Sequence, residues 1–405
     1  MLVCGRAAWN KSRQVGWYRR SIGSCPLKDK SFLLYSGNAL KAKILKGVTE
    51  NDVAMAMLES RPITGNPLNH IRQSIKKGRA ILMKTIKTFV ALLLCALLCV
   101  SSVALADTKT IGIIQFAPHP SLDNCTTGFL EGLAEGGYMD GDTLKVDFQN
   151  AMGDMGTGDM QAKIMVSNGY DMLAGVATPA AMSAYAATKE DGVPVVFVAV
   201  SDAVAAGVVK SNEEPGTNCT GVSDVLNLEA QVQMIRAFLP EAKTIGIIYT
   251  ISEPNSVTHL GQLNAIAPTY DFAVEAVGVN TADEVAAAAA TLAGRVDCIN
   301  NFTDNNVVNN LALVLRAADG AGIPVFGSEV EQVVNGCLAT QGIDYVALGR
   351  VAGRMAAEIL NGNAKPETMP VGLIDECTPA YNSTVAAKLG IALPEAYADA
   401  ADVAP

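Results

Sequence analysis

KTIGII at Lys109–Ile114, and KTIGII again at Lys243–Ile248, decide how the rest of the chain is read. Each copy is an apolar, β-branched run without helical period, the pattern of a strand buried in a parallel sheet. Each is followed by a polar loop containing proline, QFAPHPSLD at Gln115–Asp123 and YTISEPNS at Tyr249–Ser256, and then by a helical pattern. A strand–loop–helix unit repeated 134 residues apart predicts two similar α/β lobes in tandem. Open α/β sheets bind ligands beyond the carboxyl ends of their strands, so the two loops after KTIGII are the first place to look for function.

Working outward, strand and helix patterns alternate through both lobes. Around the first copy the strands are Thr143–Ala151, Asp171–Ala177 and Val193–Val200, with helices at Leu122–Gly136, Asp159–Ser167 and Thr178–Thr188. Around the second, strands at Phe272–Val279, Val296–Phe302 and Ile323–Gly327 alternate with helices at Leu228–Phe238, Ala282–Ala293 and Val307–Ala318. A strand in GCLATQGID, a helix at Tyr345–Leu360, a strand VGLIDE and a helix with Val385–Leu389 complete the pattern. The fold class is α/β, two doubly wound lobes. The expected division is 107–222 plus 336–365 for lobe 1 and 223–335 plus 366–394 for lobe 2, with a frayed tail at 395–405.

The segment before Lys109 reads differently. Met83 is followed by Lys84 and Lys87, an apolar run FVALLLCALLCV and Ala104-Leu105-Ala106, the three-part plan of a cleavable signal peptide over 83–106. No small residue precedes Cys95 or Cys99, which argues for a freely soluble exported product rather than a lipoprotein. Residues 1–82 carry 15 Lys and Arg against 4 Asp and Glu and show no sustained period. They are expected to be disordered and to represent upstream sequence, with Met83 as the true start; the codons for Lys76-Lys77-Gly78 must contain AAGG, a ribosome-binding sequence.

From Asp107 onward, 13 Lys and Arg stand against 36 Asp and Glu, a formal net charge of −23. Such a surface repels nucleic acid and anionic membrane. Cys125, Cys219, Cys298, Cys337 and Cys377 are widely spaced and form no C-x-x-C, so they indicate neither a metal site nor a disulfide framework, and one disulfide stays open. The same segment holds two histidines, His119 and His259, and no G-x-S-x-G, H-E-x-x-H or P-loop lysine motif. An enzyme is not expected, nor a cofactor or metal.

From Lys109 to about Pro394 the chain resembles the substrate-binding proteins of ABC importers, tryptophan/tyrosine type. The segments that carry the resemblance are IGIIQF with His119-Pro120, ATPAA at Ala177–Ala181, Pro194–Asp202, Ala205–Val209, Thr220–Asp224, Asn255–Val257, TDN at Thr303–Asn305, IPVFGSE at Ile323–Glu329 and Gly342–Arg350. The resemblance implies a type I periplasmic binding fold, three hinge crossings between the lobes, a small zwitterionic ligand in the cleft and a membrane permease as partner. It also implies a periplasmic monomer. Pro118 departs from the family pattern where an acidic residue is common, and Asn301-Phe302 departs where an apolar residue and proline are usual.

The candidate ligand residues are Gln115, Phe116, His119, Ala177, Thr178, Ala180, Ala181, Asp202, Asn255, Ser256, Thr303, Asp304, Ser328 and Glu329. Thr178 is read as an N-cap with Pro179 as first helical residue, so that N–H groups from Ala180 onward meet a ligand carboxylate. Asp304, with Asp202 and Glu329 as alternatives, is the expected partner of a ligand ammonium. Capping of the following helix is the competing role for both aspartates. The leading functional reading is capture of an amino acid, possibly aromatic, for import; a ligand-sensing ectodomain that partners a signalling receptor is the alternative.

Overall fold

The computed structural model describes residues 108–374 and 377–405, Met83, and four short strands nearer the amino terminus. The chain forms two compact units, residues 1–103 and 104–405. In the first, Ala7–Ala8 pairs antiparallel with Trp17–Tyr18, and Ser31–Leu34 with Lys43–Lys46. At those residues the expectation of disorder is corrected, because paired strands satisfy one another's backbone groups. The rest of 1–82, and the signal peptide at 83–106 apart from Met83, lie outside the described residues. No helix among the described residues is long and apolar enough to cross a membrane.

In the second unit the first KTIGII copy is β1 (Lys109–Gln115), followed by α1 (Pro120–Glu135), β2 (Leu144–Asn150), α2 (Met155–Ser167), β3 (Met172–Val176), α3 (Thr178–Thr188), β4 (Val195–Val198) and β5 (Cys219–Ser223). The strands are parallel in the order β2-β1-β3-β4-β5. Ile111, Ile113 and Ile114 are fully buried, as the unbroken apolar run requires.

The second half repeats the plan. After α4 (Leu228–Phe238), the second copy is β6 (Thr244–Thr250), then α5 (Pro254–Ile266), β7 (Ala273–Val279), α6 (Ala282–Ala293), β8 (Cys298–Asn300), α7 (Asn305–Asn309), α8 (Leu311–Ala321) and β9 (Val325–Phe326). Its parallel order is β7-β6-β8-β9, the first four positions of the first sheet again. Even the strand starts match. Asp171 accepts the Thr110 N–H (2.8 Å) before β3, and Asp297 accepts the Lys243 and Thr244 N–H groups (2.7 and 2.8 Å) before β8. The helix expected at Val307–Ala318 is broken at Asn310, which caps α7 and opens α8.

The chain then passes through α9 (Val330–Val334), β10 (Ala339–Gly342), α10 (Tyr345–Leu360), β11 (Gly372–Leu373), β12 (Thr378–Tyr381), α11 (Ser383–Leu389) and β13 (Ala401–Asp402). Strand pairing moves both expected lobe boundaries. β10 pairs with β12, and Leu338 and Gly327 exchange backbone bonds with Val325 and Ala339, so the chain leaves lobe 2 only after Gly342. β11 pairs with β5, covering that edge of the first sheet, so the chain leaves lobe 1 only after Leu373. The tail is corrected too: β13 lies parallel to β12. The chain thus crosses between the lobes at 224–227 and at 343–344, and a third time between β11 and β12.

α10 is held to lobe 1 by glycine. A Cβ on Gly128 or Gly132 would lie 2.0–2.1 Å from backbone oxygens of α10, and one on Gly349 or Gly353 2.1–2.2 Å from those of α1. Four missing side chains let the two backbones touch.

Candidate functional site

The two sheets turn the carboxyl ends of their strands toward each other. In each, the strand order reverses beside the KTIGII strand, between β1 and β3 and between β6 and β8, the place where open α/β sheets hold ligands. Four helices start at these points, and their N-caps are His119, Ala177, Glu253 and Asp304. Elsewhere Asp154, Asn227, Thr281, Asp344 and Asn382 cap helices with their own side-chain oxygens. His119, Ala177 and Glu253 do not, and proline follows at N1 or N2 in all three helices.

On lobe 1 the cap of α3 is one residue earlier than expected. Thr178 is already helical, and Ala177, with φ 77° and ψ 157°, supplies no side-chain acceptor. Its carbonyl takes the N–H of Ala181 (3.0 Å), which leaves the first-turn N–H groups of Thr178 and Ala180 directed out of the helix end. Gly175 makes this possible, since a Cβ there would meet the Ala181 backbone at 2.5 Å. Ala177, Thr178, Ala180 and Ala181 are all buried, as is Phe116. Gln115 anchors its own loop. Its amide donates to Ala117 O (2.9 Å) and Asp123 (2.8 Å), and its oxygen accepts from Thr126 (2.7 Å).

On lobe 2 Asp304 is engaged by its own lobe. Its carboxylate is fully buried and accepts four bonds from its own lobe: Thr250 N (2.5 Å), Thr250 Oγ1 (2.8 Å), Ser256 Oγ (2.7 Å) and Val307 N (2.9 Å). Those fill its lone pairs, so it braces the strand ends and caps α7. Ser256 is spent in the same network, and Ser328 donates to Asn301 O (2.6 Å).

Beside Asp304 lies Glu253, also buried and not among the candidates read from the sequence. It accepts from Asn305 N (3.1 Å), Asn305 Nδ2 (2.6 Å), Asn306 N (3.2 Å) and Asn255 Nδ2 (3.4 Å). Burial first, and the neighbouring carboxylate second, push the Glu253 pKa up; burial does the same for Asp304. The signal in the sequence was a glutamate directly before Pro254, where a short capping side chain is usual. Asn255 also donates to Thr303 O (3.0 Å). Four buried polar atoms around this network have no partner among the described residues: His119 Nδ1, Asn255 Oδ1, Thr303 Oγ1 and Asn306 Nδ2.

The lobes touch across this space. His119 Nε2 lies 3.4 Å from Asn305 Oδ1, Ser121 donates to Glu329 (2.8 Å), Asn124 donates to Glu331 (2.6 Å) and Thr258 reaches Asp202 (3.5 Å). Asp202 also caps its own loop at Ala205 N. Ser121, Asn124 and Glu331 were not legible as contacts. Glu329 is buried, and burial together with Glu331 lifts it to about 8. At the crossing segments Asp224 accepts from Ser201 (2.9 Å) and Tyr345 (3.1 Å), tying the first crossing to the second. Cys125, Cys219, Cys298 and Cys337 are buried thiols, so none of these four supplies a disulfide.

The model of ABC transporter substrate binding proteins matches residues 110–404. The chain belongs to that family. A tyrosine-binding protein of Clostridioides difficile is 41% identical over 268 residues, covering 66% of this chain and 77% of that one. The crystal structure of an ABC domain in complex with L-Trp from Streptococcus pneumonia superposes with TM-score 0.70 at 37% identity, covering 73% of this chain and 98% of that one. A ligand-free, open substrate binding protein from Clostridium difficile superposes with TM-score 0.57 at 38% identity, covering 73% and 99%. At identities and coverages within one percentage point, this substrate-binding protein is nearer in shape to the L-Trp complex than to the open form, in keeping with its inter-lobe bonds. The architecture is the type I periplasmic binding fold, and proteins of this family act outside the cytoplasm as binding proteins.

Proposed function

We propose that this substrate-binding protein is exported by the signal peptide at 83–106, works as a monomer in the periplasm, and captures an aromatic α-amino acid for an ABC permease. The observation that carries this reading is the opposite polarity of the two walls. Lobe 1 offers the uncapped N-terminus of α3, with free N–H groups and the positive end of the helix dipole, suited to a carboxylate. Lobe 2 offers unpartnered acceptors backed by two buried carboxylates, suited to an ammonium. Closing one on the other satisfies both ends of a zwitterion at once, which couples binding to hinge closure. The relatives that bind tyrosine and hold L-Trp favour an aromatic amino acid.

The test is calorimetry of the purified protein with L-tyrosine and L-tryptophan, after unfolding and refolding to remove carried ligand. At least one is expected to bind with a 1:1 stoichiometry. Binding of neither would overturn the reading.

A further inference from the structure

Two neutral acceptors beside the contact between the lobes are held in one polarity by a buried carboxylate. Glu253 Oε2 receives the side-chain amides of both Asn305 (2.6 Å) and Asn255 (3.4 Å) as well as the Asn305 backbone N–H (3.1 Å). Turning either carboxamide over would set oxygen against oxygen, so both NH₂ groups point at Glu253 and both amide oxygens point away. Asn305 Oδ1 then meets His119 Nε2 across the lobes at 3.4 Å, and an acceptor there requires the hydrogen to be on Nε2. A neutral imidazole has one N–H, so His119 Nδ1 is a bare lone pair, buried and without a partner. Asn255 Oδ1 is the second such acceptor, and the Thr303 hydroxyl is a third unpartnered group on the same network.

We propose that the ligand ammonium is held by His119 Nδ1 and Asn255 Oδ1, with Glu253 as the positioning residue that fixes both as acceptors. The assignment rests on the amino-acid reading above and moves the ammonium away from Asp304, whose oxygens are already taken. An ammonium brings three N–H donors; His119 Nδ1 comes from lobe 1, and Asn255 Oδ1 and the Thr303 hydroxyl from lobe 2. Neutral contacts avoid desolvating an ion pair, while the Glu253 carboxyl group lies one hydrogen bond behind them and fixes their orientation. Burial keeps His119 neutral, with its pKa lowered to about 4. Ligands that offer only acceptors at this point are rejected, because each would bury two lone pairs against its own.

The experiment compares L-tyrosine and L-tryptophan with their deaminated analogues, the 3-arylpropionates, in the wild type, Glu253→Gln and His119→Phe, and reads the His119 tautomer by ¹⁵N NMR. The expected result is a loss of at least tenfold in affinity on deamination in the wild type, shrinking to threefold or less in both variants. The Nε2–H form is expected in the wild type and a mixture in Glu253→Gln. His119→Phe keeps a ring in a loop position, so it reports even if Glu253→Gln does not fold. Equal binding of amine and deaminated ligand, or an Nδ1–H histidine, would overturn the proposal. Failure of both amino acids to bind sinks the amino-acid reading instead, and the tautomer, read in the same sample, still decides whether Nδ1 is the acceptor.

Discussion

His119 and Ala177 in lobe 1 occupy the same places in the fold as Glu253 and Asp304 in lobe 2. All four cap the helices that follow the two strands flanking the switch point. Two of the strands before them carry the KTIGII repeat, and an aspartate holds the start of each. The caps differ. Lobe 1 has an imidazole and a methyl group, which leave helix N–H groups uncovered; lobe 2 has two carboxylates, each saturated by its own lobe. A repeated scaffold thus leaves an uncapped helix end on lobe 1 and two saturated carboxylates on lobe 2. The polarity of the site comes from four cap positions, not from the strands that carry the repeat.

The strongest way to break this comparison is to remove a saturated cap. Asp304→Ala leaves Thr250 N, Thr250 Oγ1, Ser256 Oγ and Val307 N without their acceptor inside the protein. The expected loss is about 3–5 kcal/mol of stability, measured by urea unfolding. A loss below roughly 1 kcal/mol would mean that Asp304 is not the brace described here.

The uncapped end should respond in the opposite manner. Ala180→Pro removes one N–H from the first turn of α3, where proline is tolerated. A hydrogen bond to a charged group is worth roughly 1.5–3 kcal/mol, so affinity for L-tyrosine or L-tryptophan is expected to fall about ten- to a hundredfold, with the fold retained. Unchanged affinity in a folded variant would remove the carboxylate from this helix end.

These two results bear on what the sequence could reveal. The strands were legible because a two-sided buried strand leaves an unbroken apolar run, and KTIGII leaves it twice. Thr178 and Asp304 were found because helix starts have local signatures. Their roles were not, because a cap's partners lie far along the chain: the Thr250 that occupies Asp304 is 54 residues away. Gln115 shows the same limit, since its bonds to Asp123 and Thr126 depend on how the loop folds. The exchange of β10 and β11 between lobes depends on which sheet edge is open, which no local pattern records. Glu253 was passed over because a glutamate before proline has no standard capping role, and that irregularity was the signal.

The pH dependence of the two walls sharpens the contrast. Burial lifts Glu329 on lobe 2 from 4.5 to about 8, so the native state favours its protonated form. Its contribution is fully present below pH 4.5 and is lost as pH rises toward 8. His119 on lobe 1 is lowered from 6.5 to about 4, so the native state favours the neutral ring, and stability is lost as pH falls through that window. Glu329→Gln keeps an acceptor for Ser121 and never ionises. It is expected to be more stable than the wild type at pH 8 by about 1–3 kcal/mol, and nearly equal at pH 4.5. Denaturation curves at the two pH values check this; the same difference at both would sink it.

The smallest effect tests whether the bare cap of α3 costs lobe 1 anything. Ala177 holds φ 77° and ψ 157°, a region that glycine alone enters freely. Such a conformation costs an alanine about 1–3 kcal/mol. Glycine relieves that strain but loses roughly 0.5–1 kcal/mol through the greater freedom of the unfolded chain. Ala177→Gly is therefore expected to stabilise the protein by about 1 kcal/mol. Affinity should hold, because the N–H groups of Thr178 and Ala180 keep their places while the Ala177 carbonyl still receives Ala181 N. A drop in stability would show that Ala177 rests in its observed conformation without strain. A drop in affinity without one in stability would show instead that the methyl group itself touches the ligand. In that case Ala177, like His119, would shape the site with its side chain, and the contrast between the walls would narrow to charge alone.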